Sequence, residues 1–341
     1  MRVDKRLASL VPALACGLAL SACGSSSSTS SHADTTPPTS TTSASPPAVS
    51  ELAAAESPQP DEFPAPAGRS LKQLTTLVTG AAQLGAANGT FTPGRRRFAF
   101  ALTNADQRYI YAPTAVYIAP TPTSVAQGPF LAPADPMGVA AQYRSVQNSA
   151  PGGLQAIYWS EIPLRHGGIY DVLALTRVGA RLVGSTGEVA VALSTPIPDV
   201  GQRPPAIATD TLASVHGNLA LLTTRQPPES MHAVSFNQVL GKRPIALLFS
   251  TPQLCTSRVC GPVTDIMVSL QHEFASRITF IHEEVYVENQ PSRGLRPQLQ
   301  AFHLETEPWL FTINRQGVIA ARLEGAFGVN EARAALQAAL S

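Results

Sequence analysis

Covalent chemistry in this chain points first to two residues, Cys255 and Cys260. The sequence has four cysteines, and the other two, Cys16 and Cys23, lie in the N-terminal leader. Two thiols five positions apart cannot staple a scaffold. They form a local pair, which in an oxidising compartment is a disulfide or a redox switch. The pair stands between an apolar run and an amphipathic stretch, where a strand is expected to give way to a helix. A thiolate at a helix start faces unpaired N–H groups and the positive end of the helix dipole. Its pKa falls, and the thiolate is the reactive species. Cys255 is therefore expected in the first helical turn as the nucleophile, with Arg258 lowering its pKa further. Cys260 is expected one to one and a half turns on as the resolving thiol, and Gly261-Pro262 supplies a bend. Two other uses of the same residues stay open. The pair could be an unreactive structural brace. It could also bind Cu(I), a soft metal that thiolates select; His282, on a strand, and His303, on a short helix, are candidates for a further ligand. Glu283, Glu284 and Tyr286 read as a sheet end with solvated charges.

The elements around the pair follow from periodicity. Residues 244–250 form a continuous apolar run of strand length. Val259, Val263, Ile266, Met267, Leu270 and Phe274 recur at three and four, which predicts a helix ending near Arg277. Residues 278–281, extended by Val285, predict a second strand, and residues 295–302 a short helix. Residues 309–313 and 318–323 predict two strands joined by the hairpin signal Asn314-Arg-Gln-Gly317, and residues 329–340 a closing helix. The predicted order is β-α-β-α-β-β-α.

That order, with cysteines at the first strand-to-helix junction, resembles the thioredoxin superfamily over residues 231–341. The resemblance implies that Pro308, in Glu307-Pro308 just before the hairpin, is the cis-proline that faces the cysteines. It also implies catalytic roles for Cys255, Cys260 and Pro308. More narrowly, STPQLCTSRVCGP with the later EPW and IAARLEG resembles actinobacterial-type membrane lipoproteins with a thioredoxin-like domain. The superfamily's oxidoreductases mostly have two residues between their cysteines and a Trp before the first. Here there are four residues and Leu254. Four intervening residues also occur in a peroxiredoxin subgroup with TPxCTxxxC, which Thr251-Pro252 through Cys260 resembles. Thiol peroxidase activity is therefore the enzymatic alternative to thiol–disulfide exchange.

The N-terminus gives an address. Arg2, Lys5 and Arg6 precede an apolar stretch from position 7 to 20, too short to span a bilayer comfortably, so residues 1–22 are expected to be a signal peptide. Leu20-Ser21-Ala22-Cys23 resembles the bacterial lipobox, which implies acylation of Cys23, a palmitate-type anchor, and a location on the outer face of the cell membrane. Residues 23–68 are rich in Ser, Thr, Pro and Ala and are expected to be a disordered linker, because they lack the apolar surface to offset chain entropy. About 40 such residues would span roughly 35–40 Å.

Between linker and thiols, residues 69–195 are expected to form an antiparallel β-sandwich. A weak helical spacing over residues 71–84 gives way to period two at Phe98, Phe100 and Leu102, and strand patterns recur at 115–119, 154–162, 170–176 and 189–193, separated by turn residues. Gly168-Ile169-Tyr170 resembles the Gly-x-Tyr entry to a late strand of immunoglobulin-like modules. Residues 196–230 are expected to connect this module to the last domain. The fold class expected is thus multidomain, a β-sandwich followed by an α/β thioredoxin fold. Net charge is +1 and Arg95-Arg96-Arg97 is the only tight basic run, so no nucleic-acid partner is expected. Nothing in the sequence calls for a cofactor or a metal. The expected partners are the membrane, through Cys23, and thiol or disulfide proteins of the cell envelope.

Overall fold

The computed structural model describes residues 49–148 and 153–341. The expected signal peptide, Cys16, the lipobox Cys23 and the linker as far as residue 48 lie outside the described residues. Among the described residues, no helix is long and apolar enough to cross a membrane.

The last twenty residues of the expected linker are ordered, which corrects that boundary. Helix α1 (Val49–Glu56) buries Ala55 and packs Leu52 against the sandwich core. Phe63 is buried beside Leu71 and Leu74. The Tyr117 hydroxyl donates to the Pro64 carbonyl at 2.7 Å, and Arg177 donates to the Glu62 carbonyl. Few apolar residues suffice here because they land on a sheet that already exists. Helix α2 (Leu71–Thr75) is shorter than the 71–84 spacing suggested. It opens with a capping box, in which Ser70 Oγ accepts from Gln73 N at 3.2 Å and Gln73 Oε1 accepts from Ser70 N at 2.9 Å. Beyond it the chain is recruited to the sheets as β1 (Gly80–Ala81) and β2 (Gln83–Ala86), because tertiary pairing outweighs a weak helical propensity.

Seven further strands complete two sheets: β3 (Gly94–Thr103), β4 (Thr114–Ala119), β5 (Gln127–Leu131), β6 (Ala134–Pro136), β7 (Ala156–Leu164), β8 (Gly168–Val178) and β9 (Arg181–Val191). One sheet runs β1-β9-β8-β4-β5, antiparallel except for the parallel pair β1–β9; the other runs β2-β3-β7-β6, antiparallel throughout. Phe98 and Phe100 from one sheet meet Val116, Ile118 and Val172 from the other. The rings of Phe98, Phe100 and Tyr158 stack in series at centroid separations of 5.1 and 5.4 Å. The reverse face of β4 and β8 is covered too: Ala115, Tyr117, Leu173 and Leu175 lie under α2 and Phe63. That double cover explains why both alternating sets of β4 are apolar. The Tyr170 hydroxyl accepts from the amides of Arg165 and His166 at 3.0 and 3.3 Å, fastening the turn that enters β8.

The remaining elements are α3 (Phe236–Val239), β10 (Ile245–Phe249), α4 (Cys260–Phe274), β11 (Thr279–Glu283), α5 (Pro297–Ala301), β12 (Trp309–Ile313), β13 (Ile319–Glu324) and α6 (Val329–Ala338). Their sheet runs β11-β10-β12-β13, with β10–β11 parallel and the other two pairs antiparallel. Ala246, Leu248, Leu310 and Leu323 face α4 and α6, whereas Ile245, Leu247, Phe249 and Phe311 face α3 and α5. A parallel β-α-β unit followed by an antiparallel hairpin and a closing helix, with helices on both faces, is the element order predicted from the sequence. The chain is therefore a mixed α/β protein with several sheets.

The two parts share one interior. Ala99, Met137 and Ile157 from the β2-β3-β7-β6 side join Val263, Ile266, Met267, Phe327 and Ala332 in a single core. Polar groups lock the seam. Arg97 forms a buried ion pair with Glu331, at 2.5 and 2.8 Å, and also donates to the carbonyls of Glu324 and Ala326. Asp135 of β6 accepts from the amides of Asn330 and Glu331 at 3.0 and 2.7 Å, so the N-terminus of α6 is capped by the other part of the molecule. Gly328 allows this, since a Cβ there would sit 2.2 Å from Asp135 Cγ.

Residues 196–230, expected to be a simple connection, are built into the C-terminal part. Ile197 enters its core, Gln202 pairs with Ile319, and the Arg225 guanidinium donates to Asp265 of α4 at 2.9 Å. Asp265 also accepts from Ser145 and Asn148 of the sandwich part. Each of these contacts is made between groups whose sequence neighbours gave no sign of the partner. The Asp265→Ala variant removes one partner of a buried pair and leaves the Arg225 charge without its carboxylate. It should lose about 3–5 kcal/mol of stability, read as a lowered midpoint of urea unfolding.

Candidate functional site

The site is built on the loop between β10 and α4. Strand β10 is buried along its whole length, which fixes the start of the loop, and α4 buries one long face, which fixes its end. The amides of Leu254 and Cys255 both donate to the Thr251 carbonyl, at 3.2 and 3.1 Å, and the Arg258 amide donates to the Cys255 carbonyl at 3.3 Å. Arg258 closes the turn with φ 59°. Helix α4 begins at Cys260, so Cys255 sits in the loop and not in the first turn. Four intervening residues make a loop that folds back over the helix mouth, whereas a helix starting at Cys255 would have carried the two sulfurs apart.

Folding back still brings the Cys255 sulfur to the helix N-terminus. Its charged form is stabilised by the Cys260 thiol, by the Ser257 hydroxyl at 3.1 Å, and by the backbone N–H groups of Cys260 and Val259. Against the opposing effect of burial, these donors bring the Cys255 pKa down to about 5, the thiol of Cys260 contributing most. Burial, together with its role as donor to Cys255, pushes the Cys260 thiol well above its ordinary value. The two sulfurs are therefore unequal: Cys255 retains 8% of its surface in solvent and carries the charge, and Cys260 is fully enclosed and protonated. The arrangement supplies a thiolate nucleophile with a second thiol hydrogen-bonded to it. Arg258 is exposed and is not among the groups that stabilise the sulfur.

Glu307 completes the cluster. Its carboxylate and the two sulfurs lie within 4.8 Å of one another, and the bond to the next residue, Pro308, is cis. Burial and the neighbouring Cys255 charge raise the Glu307 pKa. Tyr286 stands at the rim, and its pKa is raised by burial first and then by Glu307 and the sulfurs. The donors Cys255, Cys260 and Glu307 are the set that could hold a thiophilic metal. Neither histidine proposed for copper belongs to it. His282 is buried and bonded to Glu229 and Ser250, and His303 is exposed at a left-handed turn. Glu283 and Glu284, expected in solvent, are both buried. Glu283 is paired with Arg296 at 2.8 Å, and Glu284 accepts from the amide and hydroxyl of Thr224.

Ser257 and the Glu307 carboxylate were not singled out from sequence. The cue for Ser257 is its place inside the thiol loop, where a hydroxyl two residues from a cysteine can turn back on it. The cue for Glu307 is a carboxylate next to the proline that the resemblance sets beside the thiols.

No family model and no curated protein matches the chain. Among solved structures, part of it is similar to a protein from Chlorobium tepidum described as a thiol:disulfide interchange protein, DsbE. Identity is 14%, the TM-score is 0.30, and the match covers 42% of this chain and 99% of that one. It is also similar to dsbF from MTB, at 15% identity and a TM-score of 0.28, over 40% of this chain and 99% of that one.

A lowered pKa gives a direct expectation. A group stabilised in its charged form loses its proton at lower pH. Iodoacetamide should therefore modify Cys255 with a midpoint near pH 5 and a flat rate above about pH 6.5. Removing one hydrogen bond to the charged sulfur, as in Ser257→Ala, should raise that midpoint by about one unit. Cys260 should stay unmodified across the range.

Proposed function

We propose that the chain is a lipid-anchored, extracytoplasmic thiol–disulfide protein whose reactive pair is Cys255 and Cys260. The observation that carries this is the inequality of the two sulfurs, with a partly accessible thiolate at 255 held by an enclosed thiol at 260. A structural brace has no use for a stabilised thiolate. A peroxidase would use the same Cys255 thiolate, but the hydrogen-bonded partner thiol at Cys260 favours exchange between dithiol and disulfide.

The exchange proceeds in two steps. The Cys255 thiolate attacks one sulfur of a partner disulfide, forming a mixed disulfide and releasing one partner thiolate. Cys260 then loses its proton and attacks Cys255 Sγ, which expels the second partner thiolate and leaves the Cys255–Cys260 disulfide. Two electrons pass to the partner, and the same steps reversed would oxidise a partner dithiol. Glu307, with its carboxylate near both sulfurs and its pKa raised, accepts the Cys260 proton in the second step. Pro308 shapes the loop that a partner segment would meet.

The sandwich is best read as an immunoglobulin-like module that binds or spaces. Taken in chain order, β2 to β9 fall into an A-B-E-D sheet and a G-F-C-C′ sheet. The Tyr170 hydroxyl turned back on the amides of Arg165 and His166 is the tyrosine-corner contact. Acylation at Cys23 supplies the anchor, since two or more acyl chains hold a protein at a bilayer where one does not.

Exchange with a small aromatic disulfide tests the redox proposal. Cys255→Ser should abolish turnover, and Cys260→Ser should accumulate the mixed disulfide. A wild-type protein inert toward disulfides, with a Cys255–Cys260 bond more reducing than about −300 mV, would leave only the brace. Glu307→Gln should slow the second step while leaving the alkylation of Cys255 near its wild-type rate. Incorporation of labelled palmitate, lost in Cys23→Ala, checks the anchor.

A further inference from the structure

The thiol loop stands on a buried polar column. His282 of β11 is 1% exposed, and Ser250 and Thr264 are fully buried. His282 Nδ1 lies 2.6 Å from Glu229 Oε1. His282 Nε2 lies 2.8 Å from Ser250 Oγ and 3.0 Å from the Ser250 carbonyl. Ser250 Oγ lies 2.8 Å from Thr264 Oγ1, and the Thr264 hydroxyl donates to the Cys260 carbonyl at 2.7 Å. On the far side, Glu229 takes a hydrogen bond from Thr223 at 2.9 Å and one from His232 Nε2 at 2.6 Å.

Counting protons gives the column a direction. The Thr264 hydrogen is committed to the Cys260 carbonyl, so the short Ser250–Thr264 contact takes the Ser250 hydrogen. A carbonyl oxygen only accepts, so His282 Nε2 carries a proton. The carboxylate of Glu229 only accepts, so His282 Nδ1 carries one as well. His282 is thus an imidazolium facing a carboxylate, and the donors run one way from it through Ser250 and Thr264 to Cys260. The His232 ring lies 5.5 Å from the His282 ring, and the Glu284 carboxylate also acts on His282. Serine, histidine and glutamate in this order would suit a nucleophile and its base, but Ser250 is sealed from solvent and no substrate could reach it.

The column meets the thiols at two points. One is the Cys260 carbonyl. The other is Thr251, next to the clamped Ser250: its carbonyl accepts from the Cys255 amide, and its amide faces the Cys260 sulfur. We propose that Glu229 and His282 are positioning residues for the dithiol: by fixing Ser250 and Thr264 they set the spacing of Cys255 against Cys260, and with it the reactivity of Cys255 and the balance between dithiol and disulfide. The second half of this rests on the thiol–disulfide function; the effect on Cys255 reactivity does not.

The test uses the full chain and four variants: Glu229→Gln, His282→Asn, Thr264→Val and Thr264→Ser. Two quantities are read, the pH midpoint of Cys255 alkylation and the equilibrium constant against a glutathione buffer. Glu229→Gln, His282→Asn and Thr264→Val should raise the alkylation midpoint and shift the equilibrium constant, each by about tenfold in rate or ratio at a fixed pH. Thr264→Ser keeps the hydroxyl and should restore both. Thr264→Val nearly keeps the side-chain shape, so it decides the question even where the charged-pair variants fail to fold. Variants that lower the melting temperature but leave both thiol readouts at wild-type values overturn the proposal. A wild type that ignores glutathione, with an alkylation midpoint that still moves in Thr264→Val, would sink the exchange function and leave the positioning role standing.

Discussion

Negative charge on a sulfur that is mostly out of water is the constraint around which the C-terminal part is arranged. A thiolate so enclosed is unfavourable unless hydrogen-bond donors replace the water it has lost. Here the donors come from three sources: a neighbouring thiol, a loop hydroxyl and two amides at the mouth of α4. Each has to be held in place by something else. The amides depend on where α4 starts, α4 depends on the core it shares with the sandwich, and the loop depends on Ser250 and Thr251 at the end of β10. A chemically simple pair of cysteines thereby acquires most of the molecule as its support.

The buried charges show the same economy of placement. Asp265, Glu229, Glu283 and Glu331 are all removed from solvent, and each meets an arginine or histidine. Such pairs add little net stability over apolar packing but penalise any arrangement in which a partner is missing. Three of them occur where segments distant in sequence must find one register, residues 196–230 against α4 and β11 and β3 against α6, and the fourth, Glu283–Arg296, ties β11 to the start of α5. Their effect is on which arrangement forms more than on how firmly it holds.

Much of this was legible in the sequence, and the failures have physical causes. Strands and helices of the C-terminal part follow from apolar periodicity, since each has one face or both faces in a core; β10 and α4 are clear cases. The cysteine pair was visible because thiols are few. The place of Cys255 was not, because helix propensity does not say where a first turn begins when no capping residue marks it, and Val259 makes no side-chain cap. Glu283 and Glu284 looked like a solvated strand end, since two carboxylates in a row carry no sign of the buried partners waiting at Arg296 and Thr224. Residues 49–68 looked like linker because their composition is that of a linker; two or three anchors, Leu52, Ala55 and Phe63, were enough to order them against a finished sheet.

The cap on α6 has a consequence for how the chain is made. Synthesis runs from the N-terminus, so Asp135 and the sandwich around it emerge long before the residues whose amides Asp135 receives. Until the last helix leaves the ribosome, that carboxylate and the apolar patch of Ala99, Met137 and Ile157 lack the partners they have in the finished fold. The nascent protein must therefore pass through a stage in which that seam is unfinished, and α6 is the segment that closes it.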